Sequence, residues 1–365
     1  MPSGKFALTY TVKNEARLLP SAIQYHIAAG CSRIYIFWDG TTDGSQELVS
    51  KYACVKARDS IRVEETDDAP KWIRDVLVCW ETDMDIRKKI NTYYAAKSAA
   101  AEGLDWLGSI DPDELVLMSR CEEITEDNIS KHLVKIPDEI DQVLLPNLEA
   151  VPTSAKSTNP FADCVYFLNR FPKTETIWRY SRALLLRVSR SPALVAWYDY
   201  LFYQCRFFGA LPRLMREPRD GSRIPAGYFL GYSNHKSFIR LKTFANFDFI
   251  THRWRGFLRS PRSMELGNIL HFDMLDANYF AAKFRQRQQG IILKVFYLRY
   301  RLAHVARNSS DNEIRDFFER YIAIPDPARI DRLKRRGILL EIHAASNFMR
   351  RKREEVEQID LCTNT

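Results

Sequence analysis

Apolar, β-rich stretches that run straight into polar residues, with helix-period segments between them, constrain this chain more than any other feature. Phe6 to Val12 reads as a buried strand and ends in Lys13-Asn14-Glu15. Leu18, Leu19, Ala22, Ile23, His26 and Ala29 then recur with helical period, and Gly30 supplies the stop. Arg33 to Trp38 is a second strand, followed by the turn chemistry of Asp39-Gly40-Thr41-Thr42-Asp43-Gly44-Ser45 and a helix from Gln46 to Tyr52. Ile61 to Glu64 is a candidate third strand. Residues 81–103 predict a long helix closed by Gly103. Trp106 to Ile110 is a fourth strand and enters Asp111-Pro112-Asp113-Glu114 without a break. This alternation predicts an α/β fold with a doubly wound, mostly parallel sheet. Ligands of such sheets bind outside the carboxyl ends of the strands. Lys13 to Glu15, Asp39, and Asp111 to Glu114 are therefore expected to face one crevice.

Composition narrows the function classes. With 46% hydrophobic residues, 12% of all residues aromatic, the 365-residue chain can build a real core, which excludes a mainly disordered protein. It holds no apolar run of 18 residues, so no bilayer-spanning helix is expected. Met1-Pro2-Ser3-Gly4-Lys5 leads directly into the first strand without a signal-like apolar region, and the expected location is cytoplasmic. The seven cysteines form no Cys-x-x-Cys pair, so reduced thiols are expected. Histidine spacing gives no zinc pattern, and His26 reads as a core histidine on an apolar helix face. Phosphate-binding glycine loops and a nucleophile elbow are absent, which weighs against kinase, dehydrogenase and hydrolase chemistry.

Asp-x-Asp occurs at Asp83-Met84-Asp85 and at Asp111-Pro112-Asp113. The first pair opens a helix, where carboxylates complement the dipole. The second ends an apolar strand. Two carboxylates there suit Mg²⁺ or Mn²⁺ carrying a diphosphate, or they form a solvated turn; the residues alone leave both readings open.

At this point the chain resembles family 2-like glycosyltransferases. The resemblance rests on Lys13-Asn14-Glu15-Ala16, Tyr25-His26, Gly30, the Asp39 to Ser45 turn, and Trp106 through Glu114. Looser similarities follow in order at Asn159-Pro160, Phe171, Asn234 to Arg240, Leu270-His271-Phe272, Tyr279 to Lys283 and Gly290. The resemblance implies a GT-A-type fold, a nucleotide-sugar donor (UDP-linked) and a divalent metal, Mn²⁺ or Mg²⁺. It assigns Asp111, Asp113 and His271 to the metal, with Asp111 also at the donor diphosphate. It sets Lys13, Asn14, Glu15 and Asp39 around the base and ribose. Lys236 is a candidate phosphate contact. Two departures are visible: Trp38 stands where relatives carry an Asp, and could stack on the base instead, and Phe272 replaces a Tyr. Such enzymes invert, which requires a base toward the acceptor; Glu149, Asp163 and Asp199 are the candidates. The acceptor expected is a saccharide, a glycoconjugate or a lipid-linked molecule.

The remaining chain is read more coarsely. Residues 1–290 are expected to form the transferase domain, 1–118 the nucleotide-sugar half and 119–290 the acceptor half, with 291–365 a basic helical appendage. Arg182 to Val188 looks strand-like, and the aromatic string from Trp197 to Phe208 reads as core, with a sugar site lined by stacking as the alternative. Leu339 to Glu357 predicts an amphipathic helix. The net charge of +8 gathers late, and no acidic residue lies between Asp276 and Asp311. Those cations either pack on the catalytic domain or contact an anionic membrane surface. Two rival functions remain: a basic nucleic-acid-binding protein, although no such motif appears and no nucleic acid is expected, and an inactive glycosyltransferase-like scaffold.

Overall fold

The computed structural model describes residues 4–120, 123–125, 128–169, 173–189, 191–207, 214–225, 235–256, 259–286 and 297–363. In chain order the elements are β1 (Phe6–Val12), α1 (Leu19–Ala28), β2 (Arg33–Trp38), α2 (Ser45–Val49), β3 (Val55–Asp59), α3 (Lys71–Arg74), α4 (Met84–Ala101), β4 (Trp106–Ser109), β5 (Glu114–Leu117), α5 (Ser130–Leu133) and β6 (Gln142–Leu145). Then come β7 (Asn147–Ala150), α6 (Pro160–Asp163), β8 (Tyr166–Leu168), α7 (Lys173–Ser189), α8 (Pro192–Arg206), β9 (Leu214–Arg216) and β10 (Arg223–Pro225). They are followed by β11 (Lys236–Arg240), β12 (Asp248–Phe249), β13 (Trp254–Arg255), β14 (Ser263–Glu265) and β15 (Asn268–His271). The chain ends with α9 (Ala277–Gln286), α10 (Tyr297–Asn308), α11 (Asp311–Tyr321), α12 (Pro327–Arg335), β16 (Leu339–Glu341) and α13 (Ala344–Thr363). Two compact units result: Met1–Asn147, Ser233–His271 and Asn347–Thr365 form the first, Leu148–Tyr232 and Phe272–Ser346 the second.

The first unit is built on a seven-stranded sheet of order β14-β6-β11-β4-β1-β2-β3. Strands β3, β2, β1 and β4 run parallel, and β14 is parallel to β6. Only β11, inserted between β4 and β6, is antiparallel to its neighbours. The fold is thus the expected α/β class with a mostly parallel sheet. Every residue of β1 is buried, as a central parallel strand covered on both faces requires. Helix α4 lays Ile86, Ile90, Ala95, Ala96 and Ala99 against Ala7, Tyr35, Phe37 and Leu107 of the sheet. Gly108 of β4 sits where a Cβ would come within 2.7 Å of the Phe238 ring, so only glycine lets β11 approach.

His26 of α1 is fully buried, as expected of a core histidine. Its Nε2 accepts from the Val116 amide at 3.1 Å, so Nδ1 carries the proton toward the Ala22 carbonyl at 2.7 Å. The ring thereby joins α1 to β5. Burial pushes its pKa down to about 4. The unfolded chain takes up this proton below about 6.5 and the folded chain only near 4. The stability from keeping His26 neutral is therefore present above that range and lost as pH falls from about 6.5 to about 4, a loss of about 3 kcal/mol. Urea unfolding at stepped pH should show this decline in the wild type and a shallower one in His26→Gln. An equal slope in both would remove His26 as its source.

The second unit pairs β7, β8 and β16 antiparallel. Its core gathers Phe280 and Phe284 of α9, Leu302 and Val305 of α10, and Phe317 and Phe318 of α11. Acids outside the acid-free stretch answer its cations: Lys283 meets Asp273 at 2.6 Å, Arg285 meets Asp311 at 2.8 Å, and Arg301 meets Glu217 at 2.8 Å. Arg287 and Lys294 lie outside the described residues, as do Phe171, Asn234 and Gly290.

Three expected elements are corrected. The third strand is Val55–Asp59 rather than 61–64, which includes a 3₁₀ turn. Four of its five residues are exposed at the sheet edge, so no apolar run marks it. Residues 182–188 are helical, within α7, in keeping with their Leu and Ala content. The helix expected from Leu339 begins at Ala344, because Leu339 to Glu341 pair with β8 instead.

Candidate active site at the carboxyl edge of the sheet

The loops that leave β1 and β2 are knitted together. Asn14 takes the left-handed conformation (φ 55°), and its side-chain oxygen accepts from the Thr42 amide at 2.8 Å. The Thr41 hydroxyl donates to the Val12 carbonyl at 2.9 Å, and Asp43 accepts from the Ala16 amide at 2.8 Å. Lys13 is exposed and Glu15 half-buried beside this knot. Trp38 is buried within β2, in register with Val12 and Asp59.

Asp39 is buried at the end of β2, where the Arg87 guanidinium holds it bidentately, at 2.5 Å from Nε and 2.9 Å from Nη2. At the end of β4, Asp111 accepts from Lys88 and, at 2.7 Å, from Lys236. Lys236 also meets Glu114 at 2.9 Å. Glu114 closes the turn by accepting from the Asp111 amide at 2.8 Å. Both lysines and Glu114 are buried, and the Asp111 carboxylate, about a third exposed, is the part of this network that reaches water. Burial alone would raise the Asp111 carboxyl; Lys236 and Lys88 override it and hold it well below the usual carboxylate range. Burial prevails at Glu114, whose carboxyl is raised despite Lys236.

Asp113, one residue before Glu114, faces a histidine. The register of β5 against β15 sets Glu114 opposite His271, and this brings His271 Nε2 to 3.8 Å from Asp113 Oδ2. Both side chains are buried. A separation of 3.8 Å is longer than a hydrogen bond and suits two ligand atoms sharing one ion, each about 2.1 Å from it. The Asn147 amide lies 3.4 Å from His271 Nδ1 and fixes the ring from behind. A carboxylate oxygen and an imidazole nitrogen form a donor set that Mn²⁺ accepts. Asp273 follows two residues after His271, buried and paired with Lys283.

The expected residues thus divide. Asp111, Asp113, His271 and Lys236 meet at one end of the sheet, and Asn14 and Asp39 lie at adjacent strand ends. Glu149 and Asp163 belong to the second unit. Asp163 closes a loop by accepting from Ser157 at 2.8 Å and Thr158 at 3.1 Å, and nothing is described of the Asp199 side chain. His235 pairs with Glu265 at 3.2 Å. Burial, then Lys236 and Lys88, push His252 down to about 3.

Four site residues on α4 belong to no sequence motif: Arg87, Lys88, Asn91 and Thr92. Asn91 donates to Thr11 and Ser60 at 3.1 Å, and Thr92 pairs with Ser109 at 3.1 Å. Their spacing of i, i+1, i+4, i+5 is a polar stripe on a helix whose remaining inner face is apolar. That stripe is the signal that could have found them.

No family model matches the chain. Two Arabidopsis thaliana proteins named glycosyltransferase-like are each 22% identical to it, over 351 and 353 residues. Each comparison takes in 91% of this chain, which spans 69% of one relative and 60% of the other. Among solved structures, S. aureus TarS 1–349 overlaps 81% of this chain and 71% of its own, with 10% identity and a TM-score of 0.35. Glucosyl-3-phosphoglycerate synthase from Mycobacterium tuberculosis, in complex with Mn²⁺, UDP and glucosyl-3-phosphoglycerate, overlaps 88% and 81%, with 12% identity and a TM-score of 0.32. Along nine-tenths of its length, then, this chain is similar to glycosyltransferase-like proteins.

Proposed function

We propose that this chain is a metal-dependent glycosyltransferase that moves a sugar from a UDP-linked donor to a hydroxyl acceptor with inversion. One observation carries the reading: a buried carboxylate–imidazole pair, Asp113 and His271, next to a buried lysine–carboxylate network at the carboxyl end of a parallel sheet. Asp113 and His271 would hold Mn²⁺, with Mg²⁺ the alternative and Asp273 the next donor along the chain. Once bound, the metal offsets the charge that develops on a departing nucleoside diphosphate. Lys236 and Lys88 hold Asp111 ionised and fixed, so that it presents a constant charge to the donor. The knot of Asn14 and Thr42 orders the loop that would cover the base and ribose, with Lys13, Glu15, Trp38 and Asp39 around it. The candidates for the base that takes the acceptor proton are Glu149, buried on β7, Asp199, and Asp163, whose carboxylate is engaged within its own loop. The product is read as a polysaccharide or glycoconjugate, made on the cytoplasmic side from a saccharide or lipid-linked acceptor.

A second reading, a glycosyltransferase-like scaffold without turnover, is favoured by one fact: Asp39 and Asp111 are both already engaged by cations of the chain itself. One screen separates the two. Nucleotide sugars are offered with Mn²⁺, Mg²⁺ or EDTA while melting temperature and nucleoside diphosphate release are read. A ligand at about a hundred times its Kd adds about 2.7 kcal/mol of stability. The transferase reading expects both signals with a uridine diphosphate sugar and metal. Stabilisation without release, even with acceptors present, supports the scaffold; no response to any donor sinks both.

A further inference from the structure

Helices α7 and α8 form a hairpin with two unlike faces. Only residues 190 and 191 separate them, a link short enough to require antiparallel neighbours. On the inner side Trp178 stacks on Phe202 at 4.1 Å and on Tyr198 at 5.9 Å, and Val195 is buried. The outer side is apolar and open. On α7, Ile177, Tyr180, Leu184 and Val188 recur at helical spacing and are 71%, 75%, 62% and 76% exposed. On α8, Leu194, Trp197 and Leu201 do the same at 47%, 54% and 60%. Soluble proteins rarely leave a contiguous apolar face of this kind uncovered.

The charge of the hairpin's sequence selects its partner. Residues 173–206 carry six basic and two acidic side chains. Exposed Arg187 lies beside Leu184 and Val188, and half-buried Arg182 lies on the same helix. Two hairpins of net positive charge repel one another across a two-fold axis, whereas anionic headgroups complement them. The face also carries Tyr180 and Trp197, side chains of the kind that favour a water–lipid boundary. No helix among the described residues is long and apolar enough to cross a membrane, so this face can lie on a bilayer and not span it. We infer that the α7–α8 hairpin is an interfacial anchor that seats the protein on an anionic lipid surface, with the outer apolar face among the headgroups. This anchor is independent of the donor and metal assignments above. It is also distinct from the basic stretch after Asp276, in which Lys283, Arg285 and Arg301 pair with acids.

The test is co-sedimentation of the full chain, without donor or metal, with vesicles of pure phosphatidylcholine and of equimolar phosphatidylcholine and phosphatidylglycerol. The anionic vesicles should bind it at low salt, with a blue shift of tryptophan emission, and release much of it at high salt. The triple variant Leu184→Ser/Val188→Ser/Leu201→Ser changes only exposed positions and should keep the wild-type circular dichroism and melting temperature. Its partitioning should fall about tenfold or more. If the variant binds as well as wild type, or if wild type ignores anionic vesicles, the anchor is refuted. A wild-type dimer that the variant converts to monomer, with no vesicle binding by either, would assign the face to a second copy and overturn the proposal as well.

Discussion

Asp113→Ala should lose about a thousandfold or more in metal-dependent donor turnover while keeping its fold. The magnitude follows from removing several kcal/mol of leaving-group stabilisation at once. Asp113 is proposed to hold the metal, and the ion pairs of Lys88 and Lys236 run to Asp111 and Glu114, so its replacement keeps those pairs. Turnover, Mn²⁺ titration followed by melting temperature, and circular dichroism give the three readings. His271→Ala should behave alike, because its nitrogen is the partner 3.8 Å away. Asp111→Asn should keep more of its metal response than Asp113→Ala, since its carboxylate is already shared between two ammonium groups. Full turnover in Asp113→Ala, or turnover undiminished by a chelator, would remove the metal assignment.

Lys236→Met should be among the most destabilising single changes available. It takes one cation from a buried cluster and leaves Glu114, 1% exposed, without its ammonium partner. Breaking a buried pair from one side costs about 3–5 kcal/mol. The sign of the pH dependence follows. Glu114 already has a raised pKa, and losing Lys236 raises it further. A carboxyl raised in the folded state loses stability as pH climbs above its unfolded value, so the deficit should be largest near neutrality and shrink toward pH of about 5. Adding Glu114→Gln should restore part of the loss at neutral pH. Urea midpoints matching wild type at neutral pH would show that the cluster is looser than its geometry implies.

Much of this fold was legible because its central strands announce themselves twice. β1, β2 and β4 are apolar runs, and each leads into a residue with an evident role. Asn14 locks a loop, Asp39 meets Arg87, and Asp111 meets two lysines. Gly30 and Gly103 carry positive φ just past their helices, as their placement in the sequence foretold. The failures share a cause. β3 is an edge strand whose exposed side chains leave no period to read. Leu339 to Glu341 became a strand only because β8, about 170 residues earlier, offers an open edge. Lys88 could not be found from motifs, because its role depends on α4 crossing beneath a strand end that local sequence does not specify. Trp197 was read as core on hydrophobicity alone, yet its helix turns that side outward.

The position of β11 has a consequence for the order in which the protein can be made. It separates β4 from β6, so these two strands, both complete by residue 145, have no direct pairing in the finished sheet and await a strand that begins at residue 236. Until it arrives from the ribosome, β4 presents a bare edge and Asp111 has only Lys88. Elongation at about 5–20 residues per second makes that interval several seconds or more. The strand that joins β4 to β6 is also the one that delivers Lys236 to the carboxylates. Joining of β4 to β6 and assembly of the charged site thus depend on the same late strand, and a nascent chain stopped short of it has neither.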